Sequence, residues 1–264
     1  MSVGAGGVEY ENKVLKTIKP QIAKLENIAI KEGTSTAAYA STEPDLQLLL
    51  FGRPFNIEIK QDAGAQMGGG SFNYDMKTKK FSLSSSSQID SVVEAQIRKV
   101  LNSKRNDLQK ALEFAKKNEM PLLASEIEGL PLRASKTVWE EMVRNRLLVP
   151  LNGKVDADID FLYDHYEHKN CFYIQIGKAG FFYLKKNPLN LPIPQLDSKF
   201  VIELRLGRSG SSFVAKYKTN VASGNIRAQG RLGGANKSTY SLDNAQDFTS
   251  LFGTVTKARV NSIK

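Results

Sequence analysis

The sequence predicts an α/β protein in which helices and hairpin strands share the first 150 residues and a basic, β-rich region follows. Three observations carry this. Apolar residues recur at helical spacing in 8–19, 90–118 and 136–148. Alternating residues bounded by turn formers mark hairpins at 45–61 and 72–83. Beyond Gly153 short strand-like runs succeed one another, punctuated by Gly177-Lys178-Ala179-Gly180 and the proline-rich stretch from Asn187 to Pro194. With 264 residues, 41% of them hydrophobic, the chain can bury one large core or two modest ones, and the expected division is 1–150 and 151–264.

The first helix, Val8 to Lys19, places Val14, Leu15, Ile18, Ile22 and Leu25 on one apolar face. Counting back from Val14, Leu15 and Ile18 by three, four and seven lands on Glu11. A lone carboxylate on a buried face is costly unless it is paired or bound to metal. Glu9, two positions away, faces solvent. A short strand near Thr36 to Ser41 precedes the first hairpin, whose arms are Leu46–Phe51 and Phe55–Lys60 around the turn signal Gly52-Arg53-Pro54. The second hairpin turns at Lys77-Thr78-Lys79-Lys80. A serine run, Ser84 to Ser87, with Asp90 as a cap, opens a helical pattern that runs to Asn118 and breaks near Asn102-Ser103. The next helix, Lys136 to Leu148, is bounded by Ser135 and Pro150, with Val138, Trp139, Met142, Val143 and Leu147 as its apolar face. Strands are expected at Asp156–Tyr163, Cys171–Ile176, Phe181–Leu184, Phe200–Leu206, Phe213–Tyr217 and Ile226–Leu232.

The first hairpin concentrates the chemistry. Strand alternation sets Glu58 and Lys60 on one face and Ile57 and Ile59 on the other, while the fold-back brings Asp45 opposite residue 60 or 61. Two carboxylates and an ammonium then converge, which suits a hard divalent cation with oxygen ligands: Mg²⁺, with Mn²⁺ as a substitute. Such an ion polarises a phosphoryl oxygen and acidifies a bound water, and a neighbouring lysine stabilises the developing charge.

Pro44-Asp45, twelve intervening residues and then Glu58-Ile59-Lys60 resemble the signature of the PD-(D/E)XK nuclease superfamily over roughly the first quarter of the chain. The resemblance implies a restriction-endonuclease-like core, a mixed central sheet flanked by helices, with the basic β-rich region as an extension. It implies a Mg²⁺-dependent endodeoxyribonuclease with Asp45 and Glu58 as metal ligands and Lys60 as the catalytic lysine. Members often carry a further glutamate on the first helix, which would make Glu11 an additional metal-site carboxylate. Restriction-type duplex cleavage is the expected mode, and a homodimer on DNA is the expected assembly. A structure-selective nuclease such as a Holliday-junction resolvase, a non-catalytic DNA-binding protein of the same fold, and an RNA endonuclease are the alternatives. Gln61 is expected on the opposite strand face unless the strand end twists. The glycine-rich 62–71 stretch could admit a DNA backbone, although a plain loop is the simpler reading.

Charge is segregated along the chain. Residues 1–170 hold 23 Lys/Arg and 23 Asp/Glu, whereas residues 171–264 hold 14 and 4, so the net +10 sits in the last third. That asymmetry suits a polyanion. Arg205, Arg208, Arg227, Arg231, Lys178, Lys185 and Lys186 are the expected DNA contacts; of Phe181, Phe182 and Tyr183, at least two are expected in the core. The single cysteine, Cys171, excludes an intramolecular disulfide and reads as a core residue. No segment reads as a membrane span or targeting signal, so a cytoplasmic location is expected. Asp156, Asp158 and Asp160 lack the glycine and glutamate of a calcium loop, and His165 with His168 lacks a third zinc ligand.

Overall fold

The computed structural model describes residues 5–31, 44–85, 87, 89, 91–149, 151 and 153–263. The expected strand at 36–41, the Asp90 cap and Pro150 lie outside them. In chain order, α1 (Ala5–Ile22) leads through β1 (Ile28–Ile30) to the hairpin β2 (Leu46–Leu50) and β3 (Arg53–Lys60). A second hairpin, β4 (Gly69–Asp75) and β5 (Lys80–Leu83), is followed by α2 (Ser91–Ser103), α3 (Arg105–Asn118) and α4 (Pro121–Ala124). Next come β6 (Gly129–Leu130), β7 (Leu132–Ser135), α5 (Lys136–Arg144), β8 (Gly153–Ala157) and α6 (Ile159–Glu167). Strands β9 (Cys171–Ile176), β10 (Gly180–Tyr183), β11 (Phe200–Arg208), β12 (Ser212–Val214) and β13 (Thr219–Leu232) precede α7 (Ala245–Phe252) and α8 (Lys257–Asn261).

These elements form an α/β fold, but its compact units are not the contiguous blocks 1–150 and 151–264. The first unit joins residues 1–66, 158–200 and 231–264; the second joins 67–157 and 201–230. The reason is strand pairing. β9, far beyond residue 150, lies parallel beside β3, and β13 lies antiparallel beside β4.

The first unit carries a mixed sheet of order β1-β2-β3-β9-β10, in which only β3 and β9 run parallel. One sheet face, with Leu48, Ile57, Ile59 and Tyr173, packs against Val14, Leu15 and Ile18 of α1 and Phe248, Leu251 and Phe252 of α7 in a single buried cluster. Phe181 and Phe182 are both fully buried, as core packing required. The second unit is built on a sheet of order β5-β4-β13-β11-β8, with β6 on β4 and β7 and β12 on β13. There the helical pattern breaks at Lys104, between α2 and α3, close to the expected Asn102-Ser103. Ser135 caps α5 by accepting from the Val138 amide; the helix ends at Arg144, and Val143 is exposed.

Two local readings are corrected. Asp156–Tyr163 is not one strand: β8 ends at Ala157, and Asp158 caps α6 by accepting from the Asp160 amide at 3.0 Å. All three aspartates are exposed, but the last two stand at a helix entrance. The glycine-rich stretch ends as a strand, because Gly69 and Gly70 pair with Gln229 and Ala228 of β13. Among the described residues, no helix is long and apolar enough to cross a membrane.

Candidate active site

The hairpin that carries the acidic residues turns on Phe51 and Gly52, both with positive φ (49° and 81°), the geometry of a tight two-residue connection. Arg53 and Pro54 already belong to β3. Pro54 is tolerated because the parallel partner on its other side starts only opposite Asn56. Leu46 therefore faces Ile57, and continuing that register sets Asp45 opposite Glu58 rather than residue 60 or 61. The carboxylate still reaches up the strand. Asp45 Oδ2 accepts from the Ile59 amide at 2.8 Å and from Lys60 Nζ at 3.2 Å.

Lys60 Nζ also lies 2.5 Å from Glu58 Oε1, so one ammonium bridges both carboxylates. Glu58 is 3% exposed, and its second oxygen, Oε2, is buried without a hydrogen-bond partner among the described residues. Burial and the Glu58 charge push Asp45 above the usual carboxylate range, against the pull of Lys60 and the Ile59 amide. Burial alone would lower the Lys60 ammonium, yet Glu58 and Asp45 together hold it above its ordinary value. Tyr166 of α6 lies fully buried nearby, and burial with the charges of Glu58 and Asp45 raises its phenol strongly. The Tyr166 hydroxyl is within hydrogen-bonding reach of the Glu58 carboxylate, yet among the described residues Oε2 has no partner of good geometry.

Glu11 of α1 is half-buried and feels this group. Desolvation and the Asp45 charge push it up to about 7, Lys60 pulling the other way and Glu58 adding to the rise. Its helix is fixed by a buried polar network with no signal in the sequence. Gln175 of β9, fully buried, donates to Tyr10 Oη and Ser241 Oγ at 3.0 Å each and accepts from the Leu242 amide at 2.8 Å. Asp243 accepts from Tyr10 at 3.3 Å and from Lys13 at 2.8 Å. Burial and Asp243 push the Tyr10 phenol up to about 12. Gln175 and Tyr10 are 165 positions apart, a separation that hides such a network from any local reading.

An open groove of about 1170 Å³ runs along α1, lined by Tyr10, Lys13, Lys16, Gln61, Gly177 and Lys178. Gly177 is required there: a Cβ would stand 2.0 Å from the Gln61 carbonyl oxygen. Gln61 turns toward α1, where its amide group crowds Gly6.

The donor set fits a hard cation in one respect and falls short in another. A buried carboxylate oxygen without a partner, beside a second carboxylate, is the chemistry such an ion satisfies. Among the described residues, however, no three His, Cys, Asp or Glu side chains are drawn together as a metal-binding group, so Glu11 stands outside a tight triad with Asp45 and Glu58.

The expected DNA-contacting residues fall in both units. Arg205, Arg208 and Arg227 are exposed on β11 and β13 of the second; Arg205 pairs with Glu203 at 2.7 Å, and the Arg208 guanidinium lies 5.9 Å from the Trp139 ring. In the first unit Arg231 bonds the Gly64 carbonyl, Lys178 lines the groove, and Lys185 and Lys186 pair with Asp164 and Glu167 at 2.8 and 2.6 Å. His165, half-buried, is lowered to about 4 by burial and the charges of Lys169, Lys60 and His168.

No protein-family model matches the chain, and no curated protein matches it. Among solved structures it is similar to HhaI endonuclease in complex with DNA, at 13% identity and a TM-score of 0.38, over 92% of this chain and 98% of that one.

Proposed function

We propose that this chain is a divalent-metal-dependent DNA endonuclease that hydrolyses phosphodiester bonds, with restriction-type duplex cleavage as the favoured mode. The observation that carries the reading is one ammonium, Lys60, bridging Asp45 and Glu58 beside a buried Glu58 oxygen, Oε2, that has no hydrogen-bond partner among the described residues. Asp45 and Glu58 would hold Mg²⁺ or Mn²⁺, with Glu11 adding charge from α1. Bound there, the ion would polarise the scissile phosphate and acidify a water.

The remaining roles follow from protonation. Lys60 stays charged because its two carboxylates raise it, so it donates to developing negative charge rather than acting as a base. Glu11, pushed up to about 7 without metal, would be drawn back to its carboxylate form by an ion at Asp45 and Glu58 and would act there through its charge. Tyr166, buried and raised by the Glu58 and Asp45 charges, stays a neutral phenol beside them. Duplex cleavage is favoured because the second unit is large enough to carry recognition, and a homodimer on DNA would supply two centres for two strands.

The test is incubation with supercoiled plasmid, linear duplex, single-stranded DNA and a four-way junction in Mg²⁺, Mn²⁺ or EDTA, beside Asp45→Ala and Lys60→Ala. Metal-dependent cutting that both substitutions abolish is the expected result. Preferential cutting of the junction would move the assignment to a resolvase. Binding without cleavage on every substrate, RNA included, would replace the nuclease with a non-catalytic binder.

A further inference from the structure

A second cationic site lies in the second unit, where the β4–β5 turn meets the junction of α2 and α3. A pocket of about 320 Å³ is lined by Thr78, Lys79, Lys80, Arg98, Asn102 and Arg105, together with Phe81, and among the described residues no carboxylate lines it. The turn is pinned from below: Asp75 Oδ1 accepts from the Lys77 and Thr78 amides at 2.7 and 2.9 Å. Lys79, at a φ of 54°, closes it.

The four cations are not equivalent. Arg98 is already engaged, donating to Glu94 Oε1 at 2.8 Å and to the Phe81 carbonyl. It forms a fixed wall. Arg105 bonds Asn102 through one terminal nitrogen at 2.5 Å, but its Nε is buried with no acceptor among the described residues. Lys79 and Lys80 are exposed, and among the described residues no carboxylate pairs with either of them or with Arg105. An unmet guanidinium N–H, two unpaired ammonium groups and the hydroxyl of Thr78 around one small cavity are the donors that a phosphate group takes up. The volume stands at the bottom of the range for small-molecule pockets, roughly 300 to 1,000 Å³, enough for a phosphate and its sugar rather than a large ligand.

Charge at the scale of the unit agrees. The second unit holds 20 Lys/Arg against 12 Asp/Glu, while the first holds 17 against 15. Most of the net +10 therefore belongs to the unit that contains this pocket.

We propose that the pocket formed by Lys79, Lys80, Arg98 and Arg105 binds a backbone phosphate of DNA and anchors the substrate through the second unit. The proposal rests on the endonuclease reading for the source of the phosphate. Its geometry does not depend on Asp45, Glu58 or Lys60.

The test measures duplex binding by the full chain in EDTA across a salt series, for the wild type, Lys79→Gln/Lys80→Gln and Arg105→Gln. Lys110→Gln/Lys117→Gln, on exposed positions of α3, serves as a control for the removal of two charges elsewhere in the unit. Thermal melts establish that each variant folds, and inorganic phosphate and a mononucleotide are added as competitors. We expect the pocket variants to flatten the logarithmic salt dependence by about 1 for each phosphate no longer neutralised, with weaker binding on every sequence. The control keeps the wild-type slope, and millimolar phosphate fails to displace DNA. If pocket variants match the control while the wild type binds and cuts, the pocket assignment falls and the endonuclease stands. If phosphate or the nucleotide stabilises the wild type but not the pocket variants, with DNA binding alike in all, the site takes a free anion and backbone anchoring is wrong. A wild type that binds no DNA removes both.

Discussion

Three side chains of the candidate site could be named before any fold was known, because strand alternation and a short turn fix which residues converge. Asp45, Glu58 and Lys60 are such residues; even with the register displaced, a long carboxylate-to-ammonium reach closes the set. Tyr166 and Gln175 were not legible, since their roles depend on which distant strand lies beside β3. The raised group Glu11 gives a stability that depends on pH. Its folded value, about 7, exceeds the ordinary 4.5, so the native state holds the proton more tightly, and Glu11 costs stability as pH rises through that window. Glu11→Gln should therefore raise the melting temperature at pH 8 and leave it unchanged at pH 4, with no metal present. Cleavage is read separately, because an ion held by Asp45 and Glu58 would draw Glu11 below its metal-free value: Glu11→Gln should lower the single-turnover rate in Mg²⁺ at every pH where the wild type cuts. A variant that cuts at the wild-type rate would take Glu11 out of the site. Removing Lys60 acts on the carboxylates instead. Lys60→Met leaves Asp45 and Glu58 without their counter-charge and should cost about 3–5 kcal/mol at pH 8 in urea melts, less at pH 4, where Asp45, raised by burial, takes up a proton.

Elements were read well where one periodicity dominated and poorly where two competed. The run Asp156 to Phe161 alternates charged and apolar residues as a strand does, yet Asp158 and Asp160 are also good helix-entry residues, and the cap decides. At Gly68-Gly69-Gly70 small side chains suggested a loop, whereas close strand approach is what demands them. Gly69 has a φ of 129°, and a Cβ there would stand 2.1 Å from the Ala228 carbonyl oxygen. Gly69→Ala should therefore destabilise the β4–β13 pairing by about 1–3 kcal/mol, through backbone strain as well as steric overlap. Gly210, which has open space around its Cβ position and lies outside any strand, is the comparison: Gly210→Ala should melt within a degree or so of the wild type. Equal melting of the two variants would show that the strand approach at Gly69 is loose.

At the scale of the molecule, linear order misleads most. Composition divides the chain near residue 170, periodicity divides it near 150, and the folded units follow neither, because the chain passes from one to the other at residues 66, 157, 200 and 230. Long-range pairing is the physical reason, and it leaves no local mark: β3 is completed only by β9, whose first residue, Cys171, pairs with Asn56 across more than half of the first two hundred positions. A fragment ending at residue 150 would keep Asp45, Glu58 and Lys60 but lack β9, β10, α6 and α7. The edge of β3 would then stand open, and Ile57 and Ile59 would be without Tyr173, Phe248 and Phe252 of their buried cluster. Such a fragment should be insoluble or lack a cooperative thermal transition, and it should show no metal-dependent cutting where the full chain does. A soluble 1–150 fragment with a sharp melt and retained cleavage would mean that the catalytic carboxylates need only the local hairpin, and that the parallel partner strand adds nothing to holding them in place.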